Sequence, residues 1–140
     1  MYCLIIDDNK IDIKKICRYA KCSQSDSAQT IAESLQYLDK AEKYDVVFID
    51  HKLPDGDSFT LIEQIRTRNK IVPIIVVTRW ANYKLAVETL KAGASGFLSK
   101  EGLNETMVQE AISDAIGEAE KIETVLIQLD QIERKLDGHK

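Results

Sequence analysis

The chain lacks a basic excess: its 19 lysines and arginines are outweighed by 23 acids, for a formal charge of −4. It therefore has no field of the kind that draws nucleic acid or anionic lipid, and neither direct nucleic-acid binding nor membrane association is expected. Cysteine is scarce and unpatterned. Cys3, Cys17 and Cys22 are odd in number and form no CxxC spacing, which excludes a disulfide framework or a zinc knuckle and fits reduced thiols in a cytoplasm. Only two prolines occur, and 44% hydrophobic with 30% charged residues excludes disordered and fibrous classes. No stretch approaches the ~20 apolar residues of a membrane span. The opening Met1-Tyr2-Cys3-Leu4-Ile5-Ile6-Asp7-Asp8 has no basic region and meets two acids early, so it is not expected to act as a signal peptide. A length of 140 residues fits one domain plus a short appendage.

What is present is an alternation. Cys3 to Ile6, Val46 to Ile49 and Ile74 to Val77 are short runs rich in Ile and Val, each ending at a polar residue, the pattern of strands buried on both faces. Gly96-Phe97-Leu98 is a weaker run of the same kind. Between them lie segments of helical period, marked by Ile11, Ile13 and Ile16; Ile31, Leu35 and Leu38; Phe59, Ile62 and Ile65; and Leu85, Val87 and Leu90. Such alternation predicts a doubly wound α/β fold on a five-stranded parallel sheet with right-handed crossovers. The fifth strand is expected near Cys22 to Ala28, where its polarity suits an exposed edge. Gly93 reads as a helix stop and Pro54-Asp55-Gly56 as a tight loop.

In open parallel sheets ligands sit beyond the carboxyl ends of the strands. Asp7 and Asp8 follow the first run, Asp50 ends the third strand, Thr78 follows the fourth and Lys100 the last. Taken singly, each has an ordinary explanation: an acid capping a helix, a threonine bonded to backbone, a solvated lysine. Together they place three carboxylates on one sheet edge, where they repel unless a cation joins them. Mg2+ takes oxygen ligands, usually one or two carboxylates with substrate phosphate and water. A third carboxylate beside it can attack a phosphoryl group. Asp7 and Asp8 supply the cradle, Asp50 the nucleophile, Thr78 a hydrogen bond and Lys100 a charge for the transferring group.

That set, with Asp50-His51-Lys52-Leu53-Pro54-Asp55-Gly56 and Gly93-Ala94-Ser95-Gly96-Phe97-Leu98-Ser99-Lys100, resembles the response-regulator receiver family of two-component signalling over residues 1 to about 117. The resemblance implies a flavodoxin-like strand order 2-1-3-4-5 with helices on both faces. It implies direct Mg2+ ligation by Asp8, Asp50 and the backbone carbonyl of Lys52, with Asp7 acting mostly through water. It further implies that Asp50 receives a phosphoryl group from a phosphohistidine on a histidine kinase or phosphotransfer protein, acting as acceptor rather than enzyme. Thr78 and Phe97 match the switch positions, and the face around the fourth helix, fifth strand and fifth helix is where partners are met. The chain departs from the family at Glu101, commonly Pro, and at Arg79 and Trp80, where a small residue often follows the switch hydroxyl.

Rival readings fit less well. A haloacid-dehalogenase-like phosphatase also uses an aspartate nucleophile with Mg2+, but needs Asp two positions later, where Asp50 is followed by Lys52 and Asp7 by Asn9. A flavin or nucleotide module needs glycines or hydroxyls after the first strand, and Asp7-Asp8 repel phosphate. A receiver fold serving as an unphosphorylated scaffold leaves the complete acidic and basic set without a purpose.

Residues 118 to 140 form a helical extension, expected to be a coiled coil or a linker to an output domain. Ile122, Val125, Leu129, Ile132 and Leu136 recur at three- and four-residue steps, and Leu126 widens the seam. The stripe pairs with a second copy as a homodimer, folds back on the domain as an extra amphipathic helix, or frays, since so short a helix is marginal alone, and Gly117 would mark the bend that pairing or folding back requires.

Overall fold

The computed structural model describes residues 1–40 and 43–138. Five parallel strands build the sheet: β1 (Tyr2–Ile6), β2 (Gln24–Ala28), β3 (Val46–Ile49), β6 (Ile74–Thr78) and β7 (Gly96–Ser99). Their order is β2-β1-β3-β6-β7, which is 2-1-3-4-5 counted along the sheet's own strands, as expected. Two further strands, β4 (Lys52–Leu53) and β5 (Gly56–Asp57), form a small antiparallel hairpin around Pro54-Asp55. At two residues each they are too short for periodicity to show.

β1, β3 and β6 are apolar up to the terminal Thr78 of β6 and almost wholly buried, because helices cover both faces. Helices α1 (Lys10–Ala20) and α5 (Glu105–Asp137) cover one side, where Ile16, Ala20, Val108, Ile112 and Ala115 pack on Cys3, Ile5, Phe48 and Ile75. Helices α2 (Ile31–Leu38) and α3 (Ser58–Arg68) cover the other, with Leu38, Leu61, Ile62 and Ile65 on Leu4, Ile6, Ile49 and Val76. Helix α4 (Tyr83–Ala92) lies against α3 and β7. Strand β2 is polar because it is the edge, and Asp26 at its centre accepts hydrogen bonds from the hydroxyls of Tyr2 and Tyr44.

Each helix starts where a short polar side chain satisfies its first N–H groups. Asn9, Thr30, Asp57, Asn82 and Asn104 cap the five in order. Asp55 adds a second anchor to α2, accepting from Ile31 and Ala32 N–H at 2.8 and 3.0 Å. Gly93 closes α4 at φ +121°, and a Cβ there would meet Arg66 Cγ at 3.1 Å, so the helix stop read from sequence also permits a close approach.

The carboxyl-terminal helix corrects one expectation. Gly117 marks no bend: α5 runs unbroken from Glu105 to Asp137, about 50 Å at 1.5 Å per residue. A glycine weakens a helix by about 1 kcal/mol, and the good helix formers Glu118, Ala119, Glu120 and Lys121 carry the ladder past it. The extension does not fold back on the domain, and every residue from Glu120 to Gly138 is exposed.

Candidate phosphoryl-acceptor site

Topology brings the charged residues together at the carboxyl ends of the strands. Asp7 follows β1, with its N–H bonded to the Ala28 carbonyl of β2, and Asp50 follows β3, with its N–H on the Ile6 carbonyl of β1. Lys100 follows β7 and donates its N–H to the Thr78 carbonyl. Asp7 and Asp50 are almost fully buried at 1% and 6% exposure, while Asp8 is exposed. Ligand atoms of the three carboxylates lie within 4.8 Å of one another.

Lys100 holds this cluster. Its Nζ lies 2.8 Å from Asp7 Oδ2, 2.9 Å from Asp50 Oδ2 and 2.9 Å from Asp12 Oδ2. The contacts to Asp50 and Asp12 are aligned hydrogen bonds. The contact to Asp7 is close but poorly aligned, so Asp7 Oδ2 has no well-directed donor, and Asp50 Oδ1 has none either. Burial alone would lower the Lys100 pKa, but the carboxylates of Asp7, Asp50 and Asp12 outweigh it and raise the pKa, so the ammonium stays charged. Asp7 is pushed up to about 6, mainly by burial, against the lowering influence of Lys100 and of the Asn9 N–H that its Oδ1 accepts at 2.9 Å.

Three crowded carboxylates with two buried oxygens lacking donors are electrostatically incomplete. An all-oxygen donor set of this charge fits a hard divalent cation. Above the cluster lies a crevice of about 310 Å3 lined by Asp8, Asn9, Asp50, Lys52, Arg79 and Trp80. Lys52 Nζ sits 4.3 Å over the centre of the Trp80 ring, a cation–π pair at the mouth. Thr78 is fully buried at the end of β6, and its hydroxyl accepts the Trp80 N–H at 3.2 Å rather than engaging the carboxylates. Phe97 is half-buried on β7 and packs against the α2–α3 side of the core. At Glu101 the chain proceeds without the family's proline, and no peptide bond among the described residues is cis.

Asp7, Asp8, Asp50 and Lys100 are thus brought together as their positions predicted, while Thr78 and Phe97 stand aside from the cluster. Sequence reasoning missed Asp12. It lies in the first turn of α1, where an acid is ordinarily a helix-dipole partner, yet its carboxylate reaches Lys100 and also lies 3.7 Å from Arg79 Nη2. Its one sequence signal is spacing within the helix: Asp12 lies four residues before the core residue Ile16, on the face that α1 turns to the sheet.

The model of the response regulator receiver domain matches residues 3–112. PilR, a response regulator protein of Pseudomonas aeruginosa, is 31% identical over 100 residues, which cover 69% of this chain and 22% of the relative. A CheY-like receiver domain from Methanospirillum hungatei superposes with a TM-score of 0.74 at 26% identity, covering 86% of this chain and 96% of that one. A response regulator from Burkholderia pseudomallei, solved with a phosphorylated aspartic acid, calcium ion and citrate, shares the fold at a TM-score of 0.71 and 24% identity, covering 99% and 85%. The chain therefore belongs to the response regulator receiver domain family, the signal-receiving part of two-component systems. It spans less than half the length of the curated relatives it matches. Among the described residues no helix is long and apolar enough to cross a membrane.

Proposed function

We propose that Asp50 is the phosphoryl acceptor of a Mg2+-dependent switch, loaded from a phosphohistidine on a histidine kinase or phosphotransfer protein. The observation that carries this reading is the state of the Asp50 carboxylate: buried, held at Oδ2 by Lys100, free of any donor at Oδ1, and open to the crevice between Asp8 and Trp80. Asp8, Asp50 and the Lys52 carbonyl would hold the ion, with Asp7 behind them. When bound, Mg2+ offsets the repulsion between the carboxylates and the incoming phosphate.

In the transfer the P–N bond of the donor breaks as a P–O bond to Asp50 forms, and the departing imidazole nitrogen takes its proton from solvent. Lys100 is placed to turn from the carboxylates to the new phosphoryl oxygens. The chain acts as acceptor, not as a turnover enzyme. The phosphoryl group, which carries about −1.5 to −2 of charge where the carboxylate carried −1, then draws the Thr78 hydroxyl away from the Trp80 N–H, and Phe97 follows into the space behind it. That movement reshapes the surface of α4, β7 and α5 for a partner.

The test is phosphorylation by acetyl phosphate with Mg2+, followed by intact-protein mass spectrometry. The parent gains one phosphoryl group and Asp50→Asn gains none. Equal labelling of the two would refute the assignment.

The second partner proposed is another copy of this chain, joined along the projecting half of α5. Ile122, Val125, Leu126, Leu129, Ile132 and Leu136 are each 38–61% exposed in one stripe, an apolar patch that soluble monomers avoid. With Ile122, Leu129 and Leu136 at heptad position a and Val125 and Ile132 at d, a parallel pairing sets Gln128 against Glu133 and Lys121 against Leu126. An antiparallel pairing would bring Lys121 near Lys135, so charge favours the parallel form. Its stalk leaves from the amino-terminal edge of the sheet, beside Tyr44, Val72 and Pro73, and both acceptor crevices stay open at the other end.

A further inference from the structure

We infer that Asp12 is a latch: it holds Lys100 in the unphosphorylated site and competes with the phosphoryl group for it. The inference rests on Asp50 being the acceptor and deepens that reading by naming the residue that sets how easily the site is loaded.

The geometry is specific. An ammonium has three N–H groups, and Lys100 Nζ has three carboxylates around it at 2.8–2.9 Å, from Asp7, Asp12 and Asp50. Two of those N–H groups are aligned on Asp12 and Asp50, and the Asp7 carboxylate closes the third side as an ion pair. A phosphoryl group on Asp50 can gain Lys100 only if one carboxylate releases it. Asp7 and Asp50 lie inside the cation cluster, and a bound divalent ion compensates them when Lys100 leaves. Asp12 is not among the clustered carboxylates, lies on α1 rather than at a strand end, and is 18% exposed at its side chain. It is the carboxylate whose hold on Lys100 nothing in the cation cluster replaces.

Arg79 completes the device. Its Nη2 lies 3.7 Å from the same Asp12 Oδ2 that Lys100 uses, and Arg79 directly follows the switch residue Thr78. Asp12 thereby joins the lysine that must move toward phosphate to the loop that must move with it. Arg79 shares the charge of Asp12 and weakens its grip on Lys100. When Lys100 turns to the phosphate, Arg79 is the cation that remains to satisfy Asp12, which ties the β6–α4 loop to α1 in the loaded state.

The latch predicts a gain of function on removing a site acid. With acetyl phosphate and Mg2+ at a sub-saturating donor level, Asp12→Asn and Asp12→Ser should raise the ratio of phosphorylated to unphosphorylated protein roughly tenfold, the effect of one charge-assisted hydrogen bond lost from the resting state. Asp12→Glu, which keeps the charge, should stay near the parent. Arg79→Gln, a change at an exposed side chain, should lower loading in the parent, because Asp12 then belongs wholly to Lys100, and should have no effect in the Asp12→Asn background. Thermal unfolding of each variant checks that it is folded. A fall or no change in loading for the folded Asp12 variants overturns the latch, as does an equal effect of Arg79→Gln in both backgrounds, which would place Arg79 on the phosphate itself. A parent that takes no phosphoryl group, or takes it equally as Asp50→Asn, is the separate failure of the acceptor assignment.

Discussion

Asp7 makes the site costly to the fold, and the cost can be measured. Its carboxyl is 1% exposed and titrates at about 6 against an ordinary 3.8, with burial as the main cause. A raised acid pKa means that the folded state resists ionisation. Below about pH 4 the group is protonated whether the chain is folded or not, and it costs nothing. Between about pH 4 and 6 the unfolded chain gives up the proton first and stability drains away. Above pH 6 the full penalty stands at about 3 kcal/mol, because each tenfold change in the proton's binding constant is worth about 1.4 kcal/mol. Asp7→Asn removes the charge while its amide oxygen can still accept the Asn9 N–H. In chelator, so that no ion compensates the cluster, the variant should be more stable than the parent at pH 7.5 by at most about 3 kcal/mol, or roughly 10 °C in melting temperature for a chain of this size, less whatever the new amide NH2 costs against the Lys100 ammonium. The difference should shrink to nothing near pH 4. Urea titrations across that range measure it directly. Added Mg2+ should then narrow the gap at pH 7.5 by stabilising the parent more. A variant less stable than the parent at pH 7.5, or a difference that does not change with pH, refutes the account of Asp7 as a buried carboxylate whose desolvation Lys100 and the Asn9 N–H do not fully offset.

Two further outcomes are expected. Trp80 and Lys52 form their cation–π pair over the mouth above Asp50, so Trp80→Ala should expose the acyl phosphate to water and speed its loss several-fold; decay of the phosphorylated mass after donor removal measures this, and an unchanged rate excludes the shield. For the exposed seam of α5, light scattering on a sizing column should give the parent at least a dimer's mass, while Leu129→Asp or truncation after Ala119 should leave a folded monomer. A monomeric parent at tens of micromolar would refute the pairing.

The fold was largely legible because parallel strands buried on both faces leave a strong mark. Val46-Val47-Phe48-Ile49 and Ile74-Ile75-Val76-Val77 permit little else between helical segments. Strand β2 was legible only by its place. Gln24-Ser25-Asp26-Ser27 carries no apolar period, and what holds it is its ladder to β1 and the two tyrosine hydroxyls meeting at Asp26, neither of which a local pattern encodes. Gly117 misled for a related reason: propensity counts a local penalty, whereas a helix anchored by Val108, Ile112 and Ala115 has already met its nucleation cost and continues through it.

At the site, legibility followed the strands. Asp7, Asp8, Asp50 and Lys100 each stand at or just beyond a strand's carboxyl end, so the sheet alone aligns them and no side-chain detail is needed. Asp12 comes from a helix, and its partner Lys100 is 88 residues away in the chain. Whether a first-turn acid faces solvent or the sheet depends on how α1 is rotated about its axis. That rotation is set by Ile16 and Ala20 packing on Cys3 and Ile5, with Ile13 and Cys17 flanking them. The same packing that buries this stripe turns Asp12 toward Lys100, so one helix rotation fixes both the core and the charge balance of the site. A small change in α1 packing would therefore reach Asp50 through Lys100 before it changed any residue of the motif. For this reason the acids at the strand ends define the chemistry, while an acid on the neighbouring helix adjusts it.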